Sequence, residues 1–289
     1  MSMIHLDRRT VIKAAGVGAF AAVGGLPMPL HAQQAAKVNG NIKQSICRWC
    51  YGNIPLEKLA EEAKRIGYRS IELLTPREYP TIKPFGLTCA MLSGACTIPD
   101  GFNEKKNHDR LEKSTREHID FAAENELPNV IVFSGNRRGM SDEEGLANCA
   151  EGLKRVVGYA EEKKVTICME LLNSKVDHAD YMCDRTPWGV KLAKEVGSPR
   201  FKLLYDIYHM QIMEGDVIRT IRDDHQYIAH YHTGGNPGRH EIDETQELNY
   251  SAIVRAILET GYDSYLGQEF IPSREPLASL AQGFRICDV

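Results

Sequence analysis

Eight times along this chain, a short run of β-branched and apolar residues is followed by a polar stretch, an apolar-periodic helix, and then Gly, Pro or Asn before the next run. The runs are Ser45 to Arg48, Ser70 to Leu74, Leu87 to Leu92, Asn129 to Phe133, Val165 to Glu170, Lys202 to Asp206, Ile228 to His232 and Tyr265 to Glu269. Strands separated by helices cannot pair through tight turns, so they pair in parallel through right-handed crossovers. Eight such units match a single (β/α)8 TIM barrel, which needs ~250 residues. The nearest competitor is an open doubly wound sheet. Against it, no G-x-G-x-x-G follows the first run and no phosphate-binding P-loop occurs.

The intervening helices are legible as scaffold. In Leu56 to Gly67, the residues Leu59, Ala60, Ala63 and Ile66 form an apolar stripe opposed by Glu61, Glu62 and Lys64. Ser141-Asp142-Glu143-Glu144 is a capping box, opening a helix whose Leu146, Leu153, Val157 and Ala160 face inward. From Tyr250 to Thr260 a helix buries Ile253, Ala256 and Ile257 and stops at Gly261. The longer loops, 75–84, 94–107 and 234–249, all follow runs rather than precede them. In a barrel that is the carboxyl end of the strands, where sites are built. No linker or shift of composition divides residues 33–289, which read as one domain.

Residues 1–32 read as an export segment. Asp7-Arg8-Arg9-Thr10-Val11-Ile12-Lys13 has the twin-arginine pattern, an Ala- and Gly-rich apolar stretch follows, and Leu30-His31-Ala32 offers a cleavage point before Gln33. The stretch falls short of the roughly 20 residues a membrane span needs. The expected partner is the twin-arginine translocation machinery and the expected location is the periplasm, with no membrane contact after cleavage. Losing Asp7, Arg8, Arg9 and Lys13 makes a chain of formal net charge −4 more acidic still. With no basic cluster, nucleic acid is excluded as a partner. The eight cysteines are irregularly spaced. Several are expected to be buried small hydrophobes. Cys47-Arg48-Trp49-Cys50 alone has redox or zinc spacing, and no second pair follows it.

Four of the runs end on polar residues: Glu170, Asp206, His232 and Glu269. If these are the fifth to eighth strands of one barrel, with neighbours ~4.8 Å apart, three carboxylates and one imidazole converge at one rim. Unpaired carboxylates crowded there would repel one another, and a divalent cation turns that repulsion into ligation. Oxygen donors with one imidazole suit a hard cation such as Mg²⁺ or Mn²⁺. His230 shares a strand face with His232 and is the alternative ligand. His225 and His240 read as solvated loop residues.

Several pieces together make the chain resemble the hydroxypyruvate isomerase group among the xylose isomerase-like barrels. They are Met169-Glu170-Leu171-Leu172-Asn173, Tyr205-Asp206-Ile207-Tyr208-His209-Met210-Gln211, Asn236-Pro237-Gly238-Arg239-His240-Glu241, Glu247-Leu248-Asn249-Tyr250 and Gly267-Gln268-Glu269-Phe270. The likeness runs from about Lys43 to Ile286. It implies a metal held by Glu170, Asp206, His232 and Glu269, with Glu170 and Glu269 as the acid/base pair, and a keto acid or keto sugar held by His209 and Arg239. Arg239 offers a planar fork for a carboxylate; its alternative is a surface ion pair with Glu241 or Glu244. Asn173 and Glu72 are further substrate-binding candidates, and Glu72 has the alternative role of positioning a neighbouring Lys or His. The implied reaction interconverts hydroxypyruvate and tartronate semialdehyde through an enediolate. The alternative is 3-epimerisation of a keto sugar or isomerisation of an inosose at the same metal. A homo-oligomer is compatible with all of this. His232 moves the likeness toward the keto-sugar epimerases, and Ile271, where the group tends to carry a basic residue, leaves the precise substrate open.

Overall fold

The computed structural model describes residues 38–289. The twin-arginine motif and the cleavage point at Ala32 lie outside the described residues. Seven parallel strands are present: β1 (Lys43–Cys47), β2 (Ser70–Glu72), β3 (Asn129–Val132), β4 (Thr166–Glu170), β5 (Phe201–Asp206), β6 (Ile228–Thr233) and β7 (Tyr265–Gln268). They pair in the order β2-β1-β7-β6-β5-β4-β3, and β1 joins both β2 and β7.

The expected third strand, Leu87 to Leu92, is not a regular one. It touches its neighbours through single bridges, Ser70 to Thr88, Leu74 to Leu92 and Leu92 to Val130, and so closes the ring between β2 and β3. Side chains have replaced part of the ladder. Ala90 N donates to Ser70 Oγ at 2.8 Å, and Asn129 Nδ2 donates to Ala90 O at 2.8 Å. Both backbone groups of Ala90 are thus satisfied by side chains, while Thr88, Met91 and Leu92 still bond to neighbouring backbone.

Strand alternation sends side chains to two different cores. Met91, Ile131, Cys168 and Leu204 fill the barrel interior, joined by the half-buried Leu73, Phe133 and Ala229. Leu203, Tyr205, Ile167 and Met169 point the other way, into the larger core between sheet and helices. That outer core takes the expected helix faces: Leu59, Ala60 and Ala63 of the helix Leu56–Ile66, and Leu146, Leu153, Val157 and Ala160 of the helix Asp142–Lys163. Ser141 caps the latter by accepting from Glu144 N at 3.2 Å. Among the described residues, no helix is long and apolar enough to cross a membrane. The eight cysteines are all free thiols, six of them buried. In the C-x-x-C sequence, Cys47 ends β1 facing the barrel interior and Cys50 lies in the short 3-10 helix Arg48–Tyr51.

Candidate metal centre and active site

Inward-facing positions at the carboxyl end of four adjacent strands place the candidate site. Glu170 ends β4 and Asp206 ends β5; His232 is the penultimate residue of β6, and Glu269 follows β7 directly. One donor atom from each lies within 4.8 Å of the others, and all four residues are buried.

The imidazole of His232 is oriented from below. Glu72 Oε1 accepts from His232 Nε2 at 2.6 Å and from His230 Nε2 at 2.8 Å. With Nε2 donating to Glu72, Nδ1 is the ring nitrogen turned toward the carboxylates, 2.6 Å from Glu269 Oε2 and 3.7 Å from Glu170 Oε1. The close approach to Glu269 lacks hydrogen-bond alignment, so Nδ1 is a buried polar atom with no partner. An unpartnered ring nitrogen facing three carboxylates, its tautomer fixed by a carboxylate on the far side, is the arrangement of a metal-ligating histidine. The donor set therefore fits a divalent cation. His230 stays below with Glu72. Glu72 is fully buried and is absent from the cavity wall, so its contacts are with the two imidazoles and with the Cys47 thiol at 3.7 Å.

Arg239 reaches the same cluster from the loop after β6. Its Nη2 donates to Asp206 Oδ2 at 2.9 Å and to Glu269 Oε2 at 2.8 Å, and its guanidinium lies 5.1 Å from the ring centres of both Trp49 and Tyr208. A surface pair with Glu241 is ruled out by those contacts, because Glu241 instead accepts from Ser273, Arg274 and Ser279. The loop can turn Arg239 inward because its backbone crowds against itself: a Cβ on Gly235 would sit 2.2 Å from Glu241 O. Asn173 is fully buried, and its amide donates to His209 Nδ1 at 2.6 Å and to Asp177 Oδ2 at 2.7 Å. That leaves His209 with its proton on Nε2, buried without a hydrogen-bond partner and 3.7 Å from Asp206 Oδ2. Trp49, which no periodicity or motif singles out as a site residue, donates from Nε1 to Glu269 Oε1 at 2.6 Å.

Burial and mutual charge set the electrostatics. Burial pushes Asp206 well up, Arg239 opposing and Glu269 adding. Glu170 is raised by burial, with Glu269 adding to it. Glu269 goes the other way: burial would raise it, but the charges of His232 and Arg239 hold it well below the usual carboxylate range. Burial likewise opposes charge on His232, and neighbouring Cys47 and Glu269 push it up. Since burial pushes the Cys47 thiol itself far up, Glu269 supplies the effective charge. His209 is held well below its ordinary value by burial and then by Arg239, and stays neutral. Glu170, Glu269 and Arg239 open onto a cavity of about 400 Å³.

Comparison with known proteins agrees with this architecture. Residues 60–287 match the family described as xylose isomerase-like TIM barrel. A 2-oxo-tetronate isomerase from Cupriavidus necator is 35% identical over 134 residues, which is 46% of this chain and about half, 51%, of that relative. The hydroxypyruvate isomerase of Escherichia coli (strain K12) is 27% identical over 237 residues, covering 76% of this chain and 89% of that protein. Among solved structures, an AP endonuclease, family 2, from Brucella melitensis superposes with TM-score 0.74 at 20% identity, over 83% of this chain and 96% of that one. A D-psicose 3-epimerase from Clostridium cellulolyticum H10 gives 0.64 at 16%, over 86% and 96%. The IOLI protein, solved with a binding zinc atom, gives 0.65 at 15%, over 85% and 95%. At such identities these structures speak for the fold. The family match covers most of the chain, which thus belongs to the xylose isomerase-like TIM barrel family.

Proposed function

We propose that this chain is an isomerase that depends on a divalent cation, Mg²⁺ or Mn²⁺, and moves a proton between adjacent carbons of an α-hydroxycarbonyl compound. Interconversion of hydroxypyruvate and tartronate semialdehyde is the first reaction to assay. The relatives named as isomerases support the class of reaction. The observation that carries the proposal is the meeting of Glu170, Asp206, His232 and Glu269 around one point at the floor of a cavity.

When bound there, the cation stabilises negative charge developing on the substrate oxygens. The protein's own groups do the rest. Glu170 and Glu269 stand on β4 and just beyond β7, with β5 and β6 between them, so one carboxylate can take a proton from carbon while the other returns one. Trp49 Nε1–H fixes one oxygen of Glu269, and Arg239 fixes the other. Arg239, with Nε buried and unpartnered, offers a donor to a substrate carboxylate or hydroxyl. His209 offers its Nε2–H to an oxygen beside Asp206, in a position Asn173 holds.

Keto-sugar 3-epimerisation is the second reading, favoured by the fold shared with the D-psicose 3-epimerase. Protein loaded with Mn²⁺ and assayed on hydroxypyruvate and on ketohexoses separates the two, since turnover of hexoses alone overturns the first. In Glu269→Gln, turnover should fall by at least ~10²-fold, the contribution of a positioned acid/base group, while substrate binding survives. Unchanged turnover in that variant defeats the acid/base assignment. Export to the periplasm by the twin-arginine machinery belongs to the same proposal and rests on Arg8 and Arg9. Arg8→Lys with Arg9→Lys should retain the protein in the cytoplasm on fractionation; periplasmic recovery of that variant refutes it.

A further inference from the structure

The cavity above the donor atoms has two kinds of wall. Around Glu170, Glu269 and Arg239 it is ionic; beyond them it is lined by Leu73, Ile98, Ile131, Phe133, Leu172 and Trp49, with Ser93 and His178 the remaining polar groups. Ile131, Leu73 and Phe133 belong to the apolar packing of the barrel interior, so this wall is the upper end of that packing left open. Leu73 is held there at φ 58, in the left-handed region where a side chain other than that of Gly or Asn is strained. Two contacts pin it: Leu73 N donates to Met91 O at 2.8 Å, and Leu73 O accepts from Ser93 Oγ at 3.0 Å. A chain that only needed the turn would be relieved by Gly at this point; here a large apolar side chain is kept against the cavity at a conformational cost.

The wall restricts what the cavity takes. Volumes of ~300 to 1,000 Å³ suit ligands of drug size, and at about 400 Å³ this cavity exceeds what a three-carbon keto acid fills. Arg239 is the one cationic side chain lining it, and its Nη2 is already shared between Asp206 and Glu269. A second carboxylate or a phosphate at the far end would find no counter-charge. A polyol tail would lose water from each hydroxyl along the apolar face with few partners in return.

We infer that the substrate joins an α-hydroxycarbonyl head, set over the four donor residues, to an apolar aliphatic or aryl tail that lies against Leu73, Ile98, Ile131, Phe133 and Leu172. Only the head rests on the isomerase reading; the tail rests on the wall. For a primary α-hydroxyketone the step is balanced within the substrate. One C–H bond breaks at the hydroxyl-bearing carbon and one forms at the former carbonyl carbon, while the hydroxyl proton passes to the other oxygen. No oxidant or co-reactant is needed.

The test uses the Mn²⁺-loaded protein and three 1-hydroxy-2-ketones, in which the group beyond the carbonyl is methyl, n-butyl or 2-phenylethyl. Isomerisation to the 2-hydroxyaldehyde and binding, read by tryptophan fluorescence, are both followed. From methyl to butyl, kcat/KM should rise by up to about fourfold per added methylene, and Ile98→Asp, at a half-buried wall position, should flatten that dependence. Turnover of the methyl compound with equal or poorer turnover of the longer ones overturns the tail while leaving the isomerase reading intact. Tighter binding along the series without turnover of any member, in protein equally inert toward hydroxypyruvate and ketohexoses, supports the tail and defeats the isomerase reading. No gain in binding along the series overturns the tail, and if hydroxypyruvate and ketohexoses are also inert it overturns both.

Discussion

Gly267 leaves no room for a side chain beneath the donor residues. A Cβ there would lie 2.7 Å from both Glu72 Oε1 and His232 Cδ2, inside the contact that fixes the imidazole. Gly267→Ala should therefore push His232 off its carboxylate support. Loss of such support typically costs ~10 to 100-fold in metal affinity, which Mn²⁺ titration of the variant would read. Glu72→Gln, which removes the charge but not the volume, should weaken Mn²⁺ binding less than Gly267→Ala does; unaltered affinity in both variants would show that His232 needs no support from below. At this scale, legibility followed geometry. A residue ending a strand has its direction set by period-two alternation, so Glu170, Asp206, His232 and Glu269 could be grouped from their positions alone. Glu72 and His230 obey the same alternation, but depth within the barrel decides that they meet each other, and depth depends on the stagger between strands. Trp49 escaped because it sits in a 3-10 turn and meets Glu269 across 220 residues of chain. The C-x-x-C sequence, whose spacing alone matches redox or zinc sites, joins an inward strand end to a turn residue.

Between β6 and the helix Tyr250–Glu259, the loop carrying Arg239 is tied to the segment after β7 by a set of acceptors on two acidic residues. Glu241 receives the backbone N of Ser273 at 3.0 Å and of Arg274 at 3.1 Å, and the hydroxyls of Ser273 at 2.7 Å and Ser279 at 2.8 Å. Ile271 N donates to Arg239 O at 2.6 Å across the same seam. Burial alone would raise the Glu241 carboxyl; the Ser273 and Ser279 hydroxyls and the backbone donors instead lower it to about 2. Thr245 and Arg274 hold Asp243 at about 2 as well. An unfolded glutamate titrates near ~4.3, so the folded pKa is the lower one. Stability from Glu241 is then complete above ~4.3 and is lost as pH falls toward 2. In denaturant unfolding between pH 6 and pH 2, Glu241→Gln should be less stable than the parent at the upper end and lose less on acidification. Parallel acid limbs in the two proteins would show that Glu241 titrates normally in the fold. The elements on either side of this loop were readable from apolar periodicity and caps. The clamp was not, because its partners are four separate polar groups at irregular spacing, and polar loop residues carry no period.

For the whole molecule, alternation of strand and helix specified parallel strands joined by right-handed crossovers, and the closed barrel was preferred to an open doubly wound sheet because no nucleotide-binding glycine motif follows the first run. What that pattern could not specify is how the ring shuts. Leu87-Thr88-Cys89-Ala90-Met91-Leu92 has the composition of a strand, yet the ladder is broken there and Ser70 and Asn129 take over the backbone of Ala90. The cause lies outside the run, in two polar side chains on the neighbouring strands, so no reading of the run itself reveals it. Closure matters for the site because the same segment supplies Met91 to the interior packing and its successor Ser93 to the cavity wall. Removing either side-chain partner strands a buried backbone group, a loss of about 1 to 3 kcal/mol. Ser70→Ala leaves Ala90 N–H without an acceptor, and Asn129→Ala leaves Ala90 C=O without a donor; Ser70 Oγ also accepts from Ser45 Oγ at 2.8 Å, so its loss should cost the more. Both variants should unfold at lower denaturant. Hydrogen exchange should accelerate first over residues 88–93, with the helix Asp142–Lys163 still protected, because opening at the seam leaves the outer core intact. Uniform acceleration across the barrel would instead mean that the ring opens only by global unfolding, and that these two side chains hold up the entire fold rather than its closure.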